Sequence, residues 1–485
     1  MSIRTVSAAD YPENYFSPPD PGFGTGMDGV RALQEALSKA VTAGYGTEHA
    51  AFTGGRSLIV ESLEQTLQDV LWGEKHIKCF KALKASALQS TVDEWTRRSA
   101  YGDEWGVAVG ETANPPISSA DLARQVDTVS FYRSRREVSH VMALVSTIDP
   151  AAEAEEEEAG TRQILGRVET DIFTGDRDVF PTRIRGLQSH VLDQGGDLVY
   201  DVHGQAVNTQ DAFHHLAGVV YNEGGDITQV YLNPACLADI NAALAEAERI
   251  VIPTQTEDGR IVHGAAQTAL AHAYGVMNFE SDRFIRAGWT MKAPDAAVGP
   301  DATEIPGTPT VNSVAGNAGS IHDQTNLPAG DYYLRVSAVC EHGESAASAA
   351  QAVTLTAGKA IQITVTPADA RNTGYRVYLS AVDAADGSDC RFHCEIPATG
   401  EQQVLTIDGH WVTGSTNIYL LSMDPADRAI DWRQLLPLTR MNLAITGPVI
   451  PFLVNLYGYL RVMKPNWHAL IKNVIPSTVD WAPLG

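Results

Sequence analysis

Three stretches of two-residue alternation lie close together in the second half of the chain. Tyr332 to Val339, Ile361 to Val365 and Tyr375 to Leu379 place apolar side chains at every other position, the period of a strand with one buried face. Gly and Asp clusters separate them. Strands of this kind bury their apolar face against a second sheet, so residues 300–424 read as an all-β sandwich of the immunoglobulin type. Composition shifts at Gly288 to Pro309, and residues 425–485 return to mixed structure, ending with Tyr459-Leu460-Arg461-Val462-Met463 and Ala469 to Val474. The sandwich is therefore an insertion in a larger α+β chain of 485 residues, about three domains' worth of material.

Upstream, the pattern is mixed. Residues 1–50 are rich in Gly, Pro and Asp. The run Asp20-Pro21-Gly22-Phe23-Gly24-Thr25-Gly26 follows no strand, so it reads as part of an extended arm and not as a phosphate loop. Leu58, Ile59, Leu63, Leu67, Val70 and Leu71 fall close to one face of a helix. Residues 84–145 have strand-like ends, a polar middle and a turn at Glu111 to Pro116. A structureless loop this long is unusual in a compact domain, which favours a protruding two-stranded β-arm. A long helix follows, with Asp149 as N-cap, Pro150 in the first position, a stripe of Ile164, Leu165, Val168 and Ile172, and Gly175 at the end. Glu153 and Glu155 to Glu158 suit the helix dipole and read as a solvated face rather than a cation site. Residues 190–250 alternate: strands at 198–200 and 230–232, a helix marked by Ala212, Phe213, Leu216, Val219 and Val220, and another capped by Asn233 with Leu237, Ile240 and Leu244 inside.

Charge and cysteine content narrow the function. Lys plus Arg number 35 and Asp plus Glu 59, a net charge of −24, which disfavours gripping nucleic acid through its phosphates. Residues 300–424 carry 14 acidic and 5 basic side chains, so net −9 falls on the sandwich. The five cysteines (Cys79, Cys236, Cys340, Cys390 and Cys394) are scattered, which suits a reducing compartment. Cys390, His393 and Cys394 lack a second ligand pair at zinc spacing and read as core residues. The N-terminus has no apolar stretch, and the most apolar window, Ile445 to Met463, is broken by Pro448, Pro451 and two glycines. No signal peptide or membrane span is expected, so the chain is expected to be cytosolic when made. There is no Walker loop, no Gly-x-Ser-x-Gly elbow and no His-Glu-x-x-His. His140, His203, His214, His215, His263 and His272 read as structural. The expectation is an architectural, non-enzymatic protein with no catalytic residues, no cofactor site and no metal site.

Several phrases, in co-linear order, resemble the tailed-bacteriophage major capsid proteins of the Hong Kong 97-like fold. Thr53-Gly54-Gly55-Arg56-Ser57-Leu58 before Glu61-Ser62-Leu63-Glu64 is similar to the start of the ordered shell region. Gly110 to Pro116, followed by Val138-Ser139-His140, resembles the tip and returning strand of the family's extended loop. Val168 to Asp176 resembles the end of its spine helix. Tyr231-Leu232-Asn233-Pro234, followed by Leu237-Ala238-Asp239, resembles a strand and helix of the axial domain, and Lys472-Asn473-Val474 a last peripheral strand. Gly330 to Val339, Gly343-Glu344-Ser345 and Thr373 to Tyr378 resemble fibronectin type III-like domains carried by some phage capsid proteins.

The resemblance implies a division of the chain. It gives 1–50 as N-arm, 51–83 as N-terminal helix and strap, 84–145 as extended loop and 146–189 as peripheral domain with spine helix. Residues 190–258 would be the axial domain and 259–303 return strands of the peripheral domain. The immunoglobulin or fibronectin III-like insertion would span 304–424, with 425–455 returning to the axial domain and 456–485 supplying C-terminal peripheral strands. It also implies a homo-oligomer of hexamers and pentamers in an icosahedral virion capsid, assembled in the cytoplasm of a bacterial host around double-stranded DNA without sequence-specific binding and without a membrane. Portal, scaffolding and decoration proteins are the implied partners, and the outward sandwich would serve surface attachment or decoration. Some members cross-link through a lysine on the extended loop. No lysine lies between Ala85 and Met142, so no isopeptide cross-linking is expected. About fifty residues precede the shell region, which favours a separate scaffolding protein.

Two rival readings are weaker. An adhesin or receptor-binding protein of the virion surface would explain the sandwich, but not the Glu-rich helix or the β-arm. An acidic cytosolic enzyme with an accessory β-domain would need a catalytic set that the chain does not offer.

Overall fold

The computed structural model describes residues 72–485 apart from 104, 106, 145–151, 208–209, 248–253, 256–260 and 263–267. The arm, the helix expected over 58–71 and the Asp149–Pro150 cap lie outside the described residues. A short helix α1 (Cys79–Ala82) and strand β1 (Ala85–Ala87) precede β2 (Val92–Ala100) and β3 (Asp121–Thr128). Strand β4 (Ser130–Ser139), α2 (His140–Leu144) and the long helix α3 (Ala152–Thr174) follow. Then come α4 (Leu187–Gln194), β5 (Val199–Asp201), α5 (Asp211–Asn222), β6 (Gln229–Leu232) and α6 (Pro234–Ala247). A short ladder of β7 (Thr254–Gln255) and β8 (Ile261–Val262) leads to β9 (Ala269–His272) and β10 (Gly275–Ser281). The sandwich supplies β11 (Thr310–Ala318), β12 (Gly330–Cys340), β13 (Gly343–Glu344), β14 (Gln351–Leu355), β15 (Ala360–Thr366), β16 (Gly374–Leu379), β17 (Arg391–Pro397) and β18 (Gln403–Ile407). The chain closes with β19 (Thr416–Leu421), β20 (Ile430–Asn442), β21 (Val449–Val462) and β22 (Ala469–Val474).

Helix α3 lies across a four-stranded sheet of order β1-β20-β21-β4, touching β4 and β21. The expected stripe is its buried face: Ile164, Leu165, Val168 and Ile172, joined by Phe173. Each such side chain contributes about 1.5–3 kcal/mol on leaving water. Gly175, just past the helix, is required for a steric reason, because a Cβ there would sit 2.5 Å from the carbonyl oxygens of Asp171 and Ile184. The glutamates of the first turns are not simply solvated. Glu153 and Glu157 pair with Arg440 of β20, and Glu156 pairs with Arg136 of β4 at 3.1 Å. They clip the helix to the sheet edge, each half-exposed pair worth at most about 1 kcal/mol.

A six-stranded sheet of order β5-β22-β19-β6-β10-β9 forms the second layer, with α5 against β5 and β22. Asn233 caps α6 as expected, its Oδ1 accepting the Ala235 N–H at 3.0 Å. Four boundaries from the sequence change here. Strand β19 lies inside the stretch assigned to the insertion, yet it pairs with β22 and β6. Strands β9 and β10, assigned to the peripheral domain, join β6. Strand β22, also assigned there, is wholly buried between β5 and β19. Residues 425–455, assigned to the axial return, form β20 and the start of β21, which pair under α3. The hydrogen-bond partner of a distant strand decides its domain, and local pattern does not carry that information.

The inserted sandwich has a three-stranded sheet (β11-β15-β18) facing a five-stranded one (β13-β12-β16-β17, with β14 on β12). Leu334, Val336, Ile361, Ile363, Val365, Val377 and Leu405 fill the core between them, the inward positions of the alternation. The outer face of β12 and β16 is also covered, by Met291, Ala293 and Ala347 around Tyr378 and Phe392.

Candidate functional site

The histidines and cysteines weighed as site residues are dispersed. His140 is exposed and His263 lies outside the described residues. His214 Nε2 meets Gln210 Oε1 at 3.2 Å, and His215 rests against Tyr200. His272 meets His214 edge-on and Tyr274 at a tilt. Cys390 Sγ faces the carbonyls of Tyr333 and Gly387. His393 is the extra residue of a β-bulge in β17, its Nδ1 3.0 Å from Thr413 Oγ1. Burial pushes the His393 ring down to about 4, so it is neutral.

One trio of metal-ligand types converges among the described residues: Asp201, His203 and Asp323. Asp201 is already engaged, by Lys472 Nζ at 3.1 Å, by Asn326 Nδ2 at 2.8 Å and by Asn473 Nδ2 at 2.9 Å to both oxygens. His203 sits in the left-handed region at φ 55°, with Nδ1 2.8 Å from both Asn326 Oδ1 and Thr325 Oγ1. The trio is a polar joint between β5, β22 and a sandwich loop.

A second joint involves β16 and β17. Glu395 of β17 is held by Arg286, which follows β10, at 3.1 Å, and by Arg376 of β16 at 2.8 Å. Arg376 also binds Glu344 at 2.5 Å, and Glu344 accepts the Tyr378 hydroxyl. Burial would raise the Glu395 carboxyl, but Arg286 and Arg376 outweigh it and bring it down to about 2. Val179 and Phe180 pack on Val339 beside this network. These two polar joints and the apolar contact are among the places where the sandwich is docked on the body, together with the cover of Met291 and Ala293 on its outer face.

An exposed apolar surface lies on the hairpin of β2 and β3, which the sequence placed as a β-arm. Among the described residues the two strands pair only with each other. Their root is fixed: Asp93, buried, accepts from Arg433 Nε at 2.9 Å and from the Tyr459 hydroxyl at 2.6 Å, while Arg177 reaches Asp127 and the Thr128 carbonyl. Beyond the root, Tyr101 and Trp105 are 88% and 87% exposed and Ile117 fully so, with Val107, Leu122 and Val126 also open to solvent. This apolar tip was missed in the sequence, where the middle of 84–145 reads as polar. The signal was present in Tyr101, Trp105, Val107, Val109 and Ile117, of which only Trp105, Val107 and Val109 alternate, too short a run among glycines to read as a strand.

No helix among the described residues is long and apolar enough to cross a membrane. No family model matches the chain. A protein of Enterococcus phage phiEF24C described as "Putative major capsid protein" is 23% identical over 473 residues, covering 92% of this chain and 96% of that one. Among solved structures, the capsid of a native GTA particle is 10% identical with a TM-score of 0.45, covering 88% of this chain and 100% of that one. A chain of Mycobacterium phage Adephagia is 8% identical with a TM-score of 0.44, covering 88% and 97%. A chain of the SrpI encapsulin complex of Synechococcus elongatus PCC 7942 is 9% identical with a TM-score of 0.42, covering 85% and 93%.

Proposed function

We infer that this chain is a major capsid protein of a phage and that it builds a closed icosahedral shell from hexamers and pentamers of itself. Its end-to-end relationship to the phiEF24C protein supports the family. The observation that carries assembly is the hairpin tip. Tyr101, Trp105, Val107 and Ile117 stand in solvent on a ribbon whose root is pinned by Asp93 and Arg177. Exposed apolar surface of this kind marks a contact with another chain, and each large side chain covered there contributes about 1.5–3 kcal/mol. The occupant is a neighbouring copy, over which the hairpin lies.

The remaining roles follow from the same reading. The shell surrounds DNA without sequence-specific contacts, consistent with a net charge of −24. A separate scaffolding protein and a portal take part in assembly in the host cytoplasm. The sandwich faces outward, for surface attachment or for a decoration protein. The hairpin carries no lysine, so the shell is held without isopeptide bonds and the chain acts as a structural protein, not an enzyme.

Trp105→Asp combined with Ile117→Asp tests the assembly reading by sedimentation. Both residues are exposed in the single chain, so folding is expected to change by less than about 0.5 kcal/mol, while large particles give way to monomers or small oligomers. Particles of unchanged size and yield would contradict it.

A further inference from the structure

The hairpin tip is tied into one shape by hydrogen bonds. Ser118 Oγ accepts the Asp103 N–H at 2.8 Å, and Asp103 Oδ1 accepts the Trp105 N–H at 3.0 Å. Gly102, at φ 123°, allows the close approach, since a Cβ there would sit 2.5 Å from Ser118 Oγ. The segment carrying Trp105 is thereby fastened to the one carrying Ile117, and both side chains stand in solvent. In its own chain the tip therefore fills no cavity.

A groove of about 340 Å³ opens between α3, β20 and the segment of residues 74–84 that carries α1, within the size range of cavities that take a small molecule. Its walls are apolar: Phe80 and Leu83, Leu165 of α3, Trp432 and Leu438 of β20, and Leu456 of β21. Phe80 meets Trp432 edge-on with ring centres 5.1 Å apart, and Leu438 is 37% exposed. The groove and the tip carry opposite charge. Residues 74–84 hold Lys75, Lys78, Lys81 and Lys84 against Glu74 alone, net +3 in a chain of net −24. Lys75, Lys81 and Lys84 are exposed, although Lys81 leans on Glu74 at 3.5 Å. Residues 101–120 hold Asp103, Glu104 and Glu111 and no base, net −3.

We propose that the hairpin tip of one copy seats Trp105 and Ile117 in this groove of a neighbouring copy, with its acids over the lysines of residues 74–84. The inference rests on the reading that copies of the chain assemble, and it names the surface that receives the tip. The apolar walls cover the side chains that the tip leaves in water, which supplies the affinity. The opposite charges around them steer the encounter and set the register. A knob and a hole at separate places on one chain make head-to-tail contacts, the kind that closes into rings.

Disulfide trapping in assembled particles of the full-length chain tests the pairing. Ile117→Cys is combined with Leu438→Cys, and the particles are treated with a mild oxidant and run on a denaturing gel without reductant. The double variant is expected to give a ladder of multimers that reductant collapses, and neither single variant should give it. Hydroxyl-radical footprinting of the wild type tests the same pairing whether or not the variants assemble: Phe80 and Leu438 should lose labelling on assembly together with Trp105 and Ile117. Particles of the double variant without a ladder would overturn the groove as the seat of the tip while the assembly reading stands. So would wild-type particles in which the tip is protected and Phe80 and Leu438 stay labelled. A wild-type chain that forms no particles would overturn both.

Discussion

Glu395 and Glu169 are both enclosed carboxyls, and their neighbours push them in opposite directions. Glu169, on the buried face of α3, is pushed up by burial first and then by Asp282, whereas Glu395 has two guanidiniums. For Glu395 the folded value of about 2 lies below the unfolded value of about 4.3. Its contribution to stability is therefore present above about pH 4.3 and is lost as pH falls toward 2, a change of about 3 kcal/mol. Glu395→Gln leaves the buried Arg286 without its counter-charge and Arg376 with Glu344 alone, at a cost of about 3–5 kcal/mol. Calorimetry of the full chain at pH 5 and pH 3 should show a lower Tm for the variant at pH 5 and a smaller acid shift than in the wild type. An equal acid shift would assign the titration to other carboxyls. The sequence marks neither residue plainly. A glutamate on an apolar stripe is a weak local signal, and the arginines that decide its charge arrive from distant segments.

Elements with a strong internal period were legible at the scale of helices and strands. The stripe of α3, the alternation of β12, β15 and β16 and the Asn233 cap follow from spacing alone, because the core contact they need is the same whatever partner supplies it. The hairpin of β2 and β3 was legible as a ribbon from its length. Its apolar tip was not, because side chains that wait for another molecule follow no period set by this chain's own core. Strand β19 was misplaced for a related reason: its apolar run Ile418 to Leu421 follows directly on the sandwich strands, and only its pairing with β22 and β6 removes it from them. Two deletions separate these assignments. Removing 308–408 takes out sandwich strands only. It exposes Val179 and Phe180 and lowers Tm, but it leaves a folded chain that still assembles. Removing 304–424 also takes β19 from the middle of the six-stranded sheet, and an aggregated product is expected. Circular dichroism and sedimentation read the difference, and equal behaviour of the two deletions would refute the placement of β19.

The whole molecule carries a net charge of −24, which opposes self-association at long range. Net −9 of it lies between residues 300 and 424, largely on the sandwich. Contacts made by the tip are apolar and short-ranged, so they can overcome a repulsion that salt screens over about 8–10 Å. The core of the described residues is closed, while an exposed apolar surface projects on a ribbon, as the proposed assembly requires. Negative-stain electron microscopy of particles carrying the full-length chain tests this most directly. Closed icosahedral shells tiled by hexamers and pentamers are predicted; fibres, or only small discrete oligomers, would contradict the account.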